Sequence, residues 1–138
     1  MTITHHELCF GCGLANLFGL QLEVEPAGER RVAGRFFVKQ DHQGPPGFAH
    51  GGMVATALDE AMALLVHGAH DPALTRRLEV DLLGPAPVGS FATVTAWVES
   101  EEDRRMDLAA ELRDDRDEVL ARARGVFVRV DPGAGENA

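Results

Sequence analysis

The longest apolar segment of the chain spans residues 53–66 and contains few polar side chains. It is apolar around nearly its whole circumference, which predicts a helix covered on most sides by a sheet or by a partner. We place this helix from about Gly52 to Val66 or His67, with its end near Gly68. The polar exceptions lie three or four residues apart and share one side of the helix: Thr56, Asp59, Glu60 and His67.

Regular alternation of apolar and polar residues predicts strands on both sides of this helix. Two strands precede it, at residues 20–25 and 31–38, and four follow it, at residues 75–83, 90–101, 105–113 and 119–130. This order indicates an α+β fold, in which an antiparallel sheet carries the helix on one face. On one side of the strand at 90–101 the residues are small enough for a helix to lie close: Ala92, Val94, Ala96 and Val98.

Length and composition fit a single domain over residues 1–138. Glycine and turn formers dominate residues 1–19, which we expect to wrap over the fold, and residues 131–138 predict a frayed tail. The formal net charge of −9 argues against a general nucleic-acid binder. A local arginine cluster can still hold phosphates on an acidic protein.

No apolar run reaches the roughly 20 residues needed to cross a bilayer. The first residues lack the basic and apolar regions of a secretory signal. We therefore expect a cytoplasmic protein with no membrane partner.

The two cysteines, Cys9 and Cys12, form a C-x-x-C pair. A structural zinc site needs four ligands, of which this pair supplies two, and His5 and His6 are nearby candidates to complete it. A redox motif would follow a strand in a thioredoxin-like context, which the pattern does not predict here. We expect two reduced thiols in an ordered N-terminal turn and no bound metal, with metal binding and redox chemistry as the alternatives.

The sequence His50-Gly51-Gly52 stands directly before the predicted helix. A glycine pair at a helix start leaves the first backbone N–H groups open to an oxyanion or a polarised carbonyl. Asp59 adds a carboxylate within an apolar helix, where burial is costly unless the group does chemistry or makes a specific pair. Together they indicate an enzyme that polarises a carbonyl and attacks or hydrates it with help from a carboxylate. The alternative is that the glycine pair only makes a tight turn.

These motifs and their neighbours resemble the hotdog-fold acyl-CoA thioesterases, particularly the phenylacetate-pathway type. The resemblance covers nearly the whole chain and rests on these segments: CFGCG at 9–13, DHQG at 41–44, HGG at 50–52, LDEA at 58–61, LEVD at 78–81 and PVG at 87–89. It implies a curved antiparallel sheet wrapped around a central helix. It also implies hydrolysis of an acyl-CoA thioester to a free acid and coenzyme A, with no metal and no further cofactor.

The same resemblance implies a homodimer whose two sheets join, often doubled into a tetramer. The active sites then lie at the dimer interface, with the glycine turn from one subunit and the helical carboxylate from its partner. An acyl-CoA is the expected partner molecule. The sequence by itself indicates only that the helix must be packed against other parts of the protein or a partner on most of its sides.

Five residues receive roles from the resemblance. The Gly51 N–H would polarise the thioester carbonyl, and Asp59 would act as nucleophile or as general base for water. His50 would orient the turn by hydrogen bonding. Gln43, in the loop before the helix, would help to position substrate or water. Thr75, at the start of the strand after the helix, would lie near the attacking water.

Two other functions stay open at this point. A non-catalytic hotdog module would bind acyl-CoA without hydrolysis, although a binder has no need for a carboxylate such as Asp59. A hotdog enoyl-CoA hydratase would use a histidine and a carboxylate in a different helical arrangement, and this chain matches that pattern less well. Within the thioesterase hypothesis, Glu60 on the same polar stripe is the reserve for Asp59, and the offset from His50 favours Asp59.

Overall fold

The protein is described from a computed structural model that covers residues 1–130. The predicted frayed tail at 131–138 lies outside the described residues. In chain order the elements are β1 (Glu23–Pro26), β2 (Arg31–Phe37), a short 3-10 turn (Gln40–His42), α1 (Gly51–Gly68), β3 (Ala73–Leu82), β4 (Phe91–Glu102), β5 (Arg105–Arg113) and β6 (Val119–Arg129). The predicted α+β order of two strands, one long helix and four strands is confirmed.

The six strands form one antiparallel sheet in the order β1-β2-β4-β5-β6-β3. Helix α1 packs against all of them. The small side chains expected beneath the helix are buried there, with Ala92, Val94 and Ala96 of β4 in the core. On β6, Gly125 permits a close approach, because a β-carbon at that position would come within 3.1 Å of the Met62 sulfur.

Helix α1 buries most of its circumference, as its composition predicts. Its buried apolar residues are Val54, Ala57, Leu58, Ala61, Met62, Leu64, Leu65 and Val66. Full burial of a large aliphatic side chain contributes about 1.5–3 kcal/mol, so this face anchors the fold. Met53, Ala55 and Ala63 are only half-buried, which leaves one side of the helix partly uncovered in the single chain. No helix within residues 1–130 is long and apolar enough to cross a membrane.

The first strand begins later than its alternation predicts. We expected a strand from residue 20, but β1 starts at Glu23. Gln21 has a positive φ of 52°, which is incompatible with an extended strand. Leu20 and Leu22 are both buried and donate their backbone N–H groups to the N-terminal segment instead. The alternation thus reflects burial rather than sheet pairing at these positions.

Residues 1–19, here called the N-terminal segment, lie against the β1 edge and the helix. Ile3 makes an antiparallel bridge to Val24 of β1. The buried His42 holds the other end of the segment, since its Nε2 lies 3.0 Å from the Gly19 oxygen. The Lys39 N–H donates to His42 Nδ1, so Nε2 carries the proton and donates to Gly19. The segment is therefore tied to the loop that leads into α1.

Candidate active site

The N-terminus of α1 is a capped helix end with one free amide. His50 is the N-cap residue, with extended backbone, and its Nδ1 accepts a hydrogen bond from the Gly52 N–H at 2.8 Å. The His50 oxygen accepts from the N–H groups of Met53 and Val54. Within residues 1–130, the Gly51 N–H donates no hydrogen bond. This amide stands at the positive end of the helix dipole and is available to a ligand.

The loop ahead of α1 is held by its own hydrogen bonds. Gln43 Oε1 accepts from the Gly47 N–H at 2.6 Å, and the Gln43 backbone bridges to Ala49. The His50 N–H donates to the His42 oxygen at 2.7 Å. The side-chain oxygen of Gln43 is thus hydrogen-bonded within the loop, while its side-chain Nε2 group remains available to a ligand.

Asp59, near the middle of α1, is directed toward β3. Thr75 Oγ1 donates a hydrogen bond to Asp59 Oδ1 at 2.8 Å. The β3–β6 register shifts between Thr75 and Arg77, and such irregularities re-aim side chains. Burial raises the pKa of the Asp59 carboxyl, and the hydrogen bond from Thr75 opposes this rise. A half-buried carboxylate with a single hydrogen bond keeps lone pairs for attack or for proton transfer.

Glu60, the next residue, is directed toward the N-terminal segment. Its Oε2 lies 2.9 Å from His5 Nδ1 and 3.4 Å from Cys9 Sγ. Burial by itself would raise the pKa of Glu60, but hydrogen bonds from His5 and from both thiols hold that pKa below its ordinary value. This contradicts the interpretation of Glu60 as the reserve for Asp59. Consecutive helical residues point about 100° apart, so a shared stripe did not mean a shared site.

The structure places the five predicted site residues in two groups. His50, Gly51 and Gln43 belong to the helix N-terminus and its loop, and Asp59 pairs with Thr75. Asp59 lies eight residues after Gly51, which is a rise of about 12 Å along the helix axis. Within one chain, the free amide and the carboxylate are therefore well separated along the helix axis.

Sequence reasoning considered three members of a second cluster, as an alternative to free thiols, and missed the fourth, Glu60. His5, Cys9, Cys12 and Glu60 bring one ligand atom each to within 4.8 Å of one another. Both cysteines are free thiols, and they lie in the N-terminal turn. The C-x-x-C pair and the nearby histidine were visible signals, but the fourth member comes from α1. His6, the other histidine considered for this site, is not a member of the cluster.

A six-stranded antiparallel sheet packed around one central helix is the hotdog fold, and the candidate site lies along that helix. Residues 46–121 match the family described as the thioesterase superfamily. The match includes α1 and the whole of β3, β4 and β5. The chain belongs to the thioesterase superfamily, which confirms the family resemblance drawn from its motifs.

Curated relatives of the chain are named acyl-coenzyme A thioesterases. The chain is 36% identical over 90 residues to THEM5 of Mus musculus, which covers 64% of this chain and 36% of the relative. It is 32% identical over 108 residues to THEM4 of Xenopus laevis, which covers 75% of this chain and 47% of the relative. The chain thus spans less than half the length of these two relatives.

Solved structures of thioesterase proteins have the same fold. One thioesterase superfamily protein aligns with a TM-score of 0.83 at 24% identity, over 88% of this chain and 60% of that one. The E. coli PaaI protein of the phenylacetic acid degradation operon aligns with a TM-score of 0.76 at 20% identity, over 81% of both chains. A Streptococcus pneumoniae hypothetical thioesterase, solved with coenzyme A, aligns with a TM-score of 0.74 at 16% identity, over 79% of this chain and 85% of that one.

The pneumococcal protein has also been solved as two alanine variants. One replaces an aspartate and the other replaces a threonine sixteen positions further along that protein. In this chain, Asp59 and Thr75 are also sixteen residues apart and are hydrogen-bonded to each other.

Proposed function

We propose that the protein is an acyl-CoA thioesterase that hydrolyses its substrate to a free carboxylic acid and coenzyme A. The observation that carries this proposal is the half-buried Asp59, hydrogen-bonded by Thr75, on a helix whose first amide is free at Gly51. This pairing supplies a nucleophile or base and an oxyanion donor, which are the two elements that thioester hydrolysis requires.

The comparisons support the same substrate class and the same residues. One structural neighbour was solved with coenzyme A and another was solved bound to acetyl-CoA. The aspartate and threonine replaced in the pneumococcal protein have the spacing of Asp59 and Thr75 here. We propose that these two residues form the corresponding pair in this chain.

We propose a reaction that needs only the protein, the thioester and water. The Gly51 N–H hydrogen-bonds the thioester oxygen, and this bond strengthens as negative charge develops on the oxygen. With Asp59 as general base, water loses a proton to the carboxylate as its oxygen bonds to the thioester carbon. The tetrahedral intermediate then collapses, the carbon–sulfur bond breaks, and the departing coenzyme A thiolate receives the proton. With Asp59 as nucleophile, its carboxylate bonds to the thioester carbon and the carbon–sulfur bond breaks, which releases coenzyme A as a thiolate. Water then hydrolyses the mixed anhydride to the free acid, which restores the Asp59 carboxylate and supplies the proton that the thiolate takes up.

Supporting roles are proposed for three further residues. His50 orients the turn by capping α1 through the Gly52 N–H. Thr75 holds Asp59 in place and lies beside the attacking water. Gln43 presents its Nε2 amide to substrate or water, because its carbonyl oxygen is bonded within the loop.

We propose that the working unit is a homodimer or a dimer of dimers, in which each site combines Gly51 of one subunit with Asp59 of the other. The separation of about 12 Å along α1 supports this arrangement. Strand β3 stands at one end of the sheet order, and Leu74, Leu78 and Leu82 on it are 67%, 36% and 57% exposed in the single chain. A partner that pairs with β3 would cover these side chains and the half-buried side of α1.

A cytoplasmic location is part of the same proposal. The two cysteines are unpaired in the structure, which suits a reducing compartment.

The experiment is a thiol-release assay with short, medium, long and aryl acyl-CoA substrates, using the wild type, Gly51→Pro and Gly51→Ala. Proline is favoured at the first position of a helix, and His50 already has the extended backbone that proline requires before it. Gly51→Pro therefore removes the N–H while the helix is kept. Gly51→Ala retains the N–H and is the matched control, since both variants place a β-carbon near Leu82 Cδ1.

We expect thiol release by the wild type on at least one acyl class. Gly51→Pro should lower kcat by roughly 10²–10³-fold, and Gly51→Ala by much less. Equal rates in the two variants would contradict the proposed role of the Gly51 N–H as oxyanion donor. Tight binding of acyl-CoA without thiol release would instead identify a binding module, and hydration of an enoyl-CoA would identify a hydratase.

A further inference from the structure

The N-terminal turn and α1 bring four metal-ligating groups to one point. His5, Cys9 and Cys12 come from the first twelve residues, and Glu60 comes from the helix. Cys12 is buried, and Glu60 is 9% exposed. The N-terminal segment thus folds so that one imidazole and two thiols converge on a carboxylate that the catalytic proposal does not use.

Four of the six distances between the ligand atoms lie near or below those of a tetrahedral zinc site, and all four atoms lie within 4.8 Å of one another. His5 Nδ1 lies 3.7 Å from Cys9 Sγ and 3.7 Å from Cys12 Sγ, and Cys9 Sγ lies 3.4 Å from Glu60 Oε2. Zinc bond lengths place neighbouring nitrogen and sulfur ligand atoms about 3.6 Å apart in a tetrahedron. The 2.9 Å between His5 Nδ1 and Glu60 Oε2 is shorter than the tetrahedral value of about 3.3 Å.

Hydrogen bonding alone accounts poorly for this convergence. His5 Nδ1 carries at most one proton, yet both sulfurs and a carboxylate oxygen lie within 3.7 Å of it. When deprotonated, the two thiols and Glu60 carry three negative charges, and a divalent cation would offset two of them and leave a net charge of −1. Two thiolates with one imidazole favour zinc over magnesium or calcium, which prefer oxygen ligands.

The residues around the cluster allow its four members to lie close together. The backbone N–H of His5 donates a hydrogen bond to Cys12 Sγ at 3.2 Å. A bond of this kind supports a metal-bound thiolate. Gly11, between the two cysteines, lies against Glu60, and a β-carbon at that position would overlap the Glu60 side chain. Glycine at residue 11 therefore keeps the fourth ligand within reach of the turn.

We propose that His5, Cys9, Cys12 and Glu60 form a structural zinc site that fastens the N-terminal segment to α1. Four protein ligands close the coordination sphere, so the ion has no open position for a substrate or a reactive water. Because the ligand Glu60 directly follows Asp59 in the chain, the ion also rigidifies the helix turn that carries the proposed catalytic carboxylate.

The test is metal content, measured on the full-length protein purified under reducing conditions and incubated with an equimolar amount of zinc. After desalting, we expect one zinc per chain by elemental analysis in the wild type. Cys12→Ser and the double variant Cys9→Ser/Cys12→Ser should retain none. Glu60→Gln should bind zinc roughly tenfold or more weakly. His6→Ala is the matched control and should retain the wild-type content, because His6 lies beside His5 but outside the cluster.

Cobalt gives a second readout that does not depend on the variants. Cobalt-loaded wild type should show the strong visible bands of a tetrahedral ion and a thiolate-to-metal charge-transfer band, both lost when zinc is added in excess. Failure of the reduced wild type to retain either metal would overturn the proposal, and so would zinc retention by the double cysteine variant. A Cys9–Cys12 disulfide that forms in place of metal uptake would also overturn it.

Discussion

Asp59 and Glu60 are adjacent carboxylates on one helix, and their surroundings differ in almost every respect. Asp59 is directed toward β3, where it receives one hydrogen bond from Thr75, and burial raises its pKa. Glu60 is directed toward the N-terminal segment, where contacts with His5 and both thiols hold its pKa below the ordinary value. The difference follows from a rotation of about 100° between consecutive helical residues.

This contrast separates two uses of a buried acid. A carboxylate that several donors satisfy is stabilised in its charged form and suits a structural ion pair or a metal site. A carboxylate that is desolvated but sparsely bonded keeps its lone pairs and its reactivity. We therefore propose that Glu60 is a structural acid and Asp59 a reactive one, and a pair of isosteric substitutions can distinguish them.

The largest expected effect is on catalysis and belongs to Asp59. Asp59→Asn should lower kcat by roughly 10³–10⁴-fold, because it removes the nucleophile or base. It should leave the melting temperature unchanged or higher, since it also removes a desolvated charge. Thiol release and thermal unfolding on the same samples check both parts. Full activity in Asp59→Asn would refute its assignment.

Glu60→Gln should show the opposite result, with a larger loss of stability and a smaller loss of rate. It removes the charged partner of His5 and should lower the free energy of unfolding by about 1–3 kcal/mol. Its loss of stability should therefore exceed that of Asp59→Asn, and its loss of rate should be the smaller of the two. Glu29→Gln, an exposed acid in the turn between β1 and β2, is the control for removal of a surface charge. Similar stability in all three variants would contradict the contrast between the two acids.

A steric change beside Glu60 should give the next largest effect. Gly11→Ala would place a β-carbon into the Glu60 side chain and should destabilise the protein by about 1–3 kcal/mol. The cost should largely disappear in the background of Glu60→Ala, which leaves room for the added methyl group. Chemical denaturation of the four proteins in this cycle measures the coupling. Additive effects would mean that Gly11 and Glu60 do not depend on each other.

The smallest expected effect concerns the hydrogen bond to Asp59. Thr75→Val removes the hydroxyl with little change of shape, and we expect kcat to fall by roughly tenfold, in line with the loss of one hydrogen bond to a charged group. Thr75→Ser keeps the hydroxyl and should retain most of the rate. Steady-state kinetics on the best acyl-CoA substrate distinguishes the two. Equal losses in both variants would point to the methyl group and to packing on β3.

Much of the fold could be predicted from periodicity alone. The helix was expected from about residue 52 to 67 and runs from Gly51–Gly68, and the fifth strand was expected at 105–113, where β5 (Arg105–Arg113) lies. The first strand was misplaced because Leu20 and Leu22 alternate like strand residues while they are buried by the N-terminal segment. Alternation reports burial, and it does not identify the backbone partner.

The candidate site was predicted in parts. Asp59 was selected from the residues and Thr75 through the family resemblance, and their mutual hydrogen bond, beside a β3 register shift, was not predicted. The contact between Glu60 and the cysteines depends on the path of residues 1–19 across the fold. Spacing along a helix gives the direction of a side chain only relative to its own axis.

The central claim is that each active site combines Gly51 of one subunit with Asp59 of the other. Complementation between two inactive variants tests it most directly. Differently tagged Asp59→Asn and Gly51→Pro chains are unfolded together, refolded and assayed as a mixture, and the doubly tagged species is purified. Each mixed dimer would contain one site with both defects and one site with neither.

We predict that the mixture regains about a quarter of the wild-type activity, and the purified mixed dimer about half, although each variant alone is nearly inactive. A purified mixed dimer that is no more active than its parent variants would contradict the shared site.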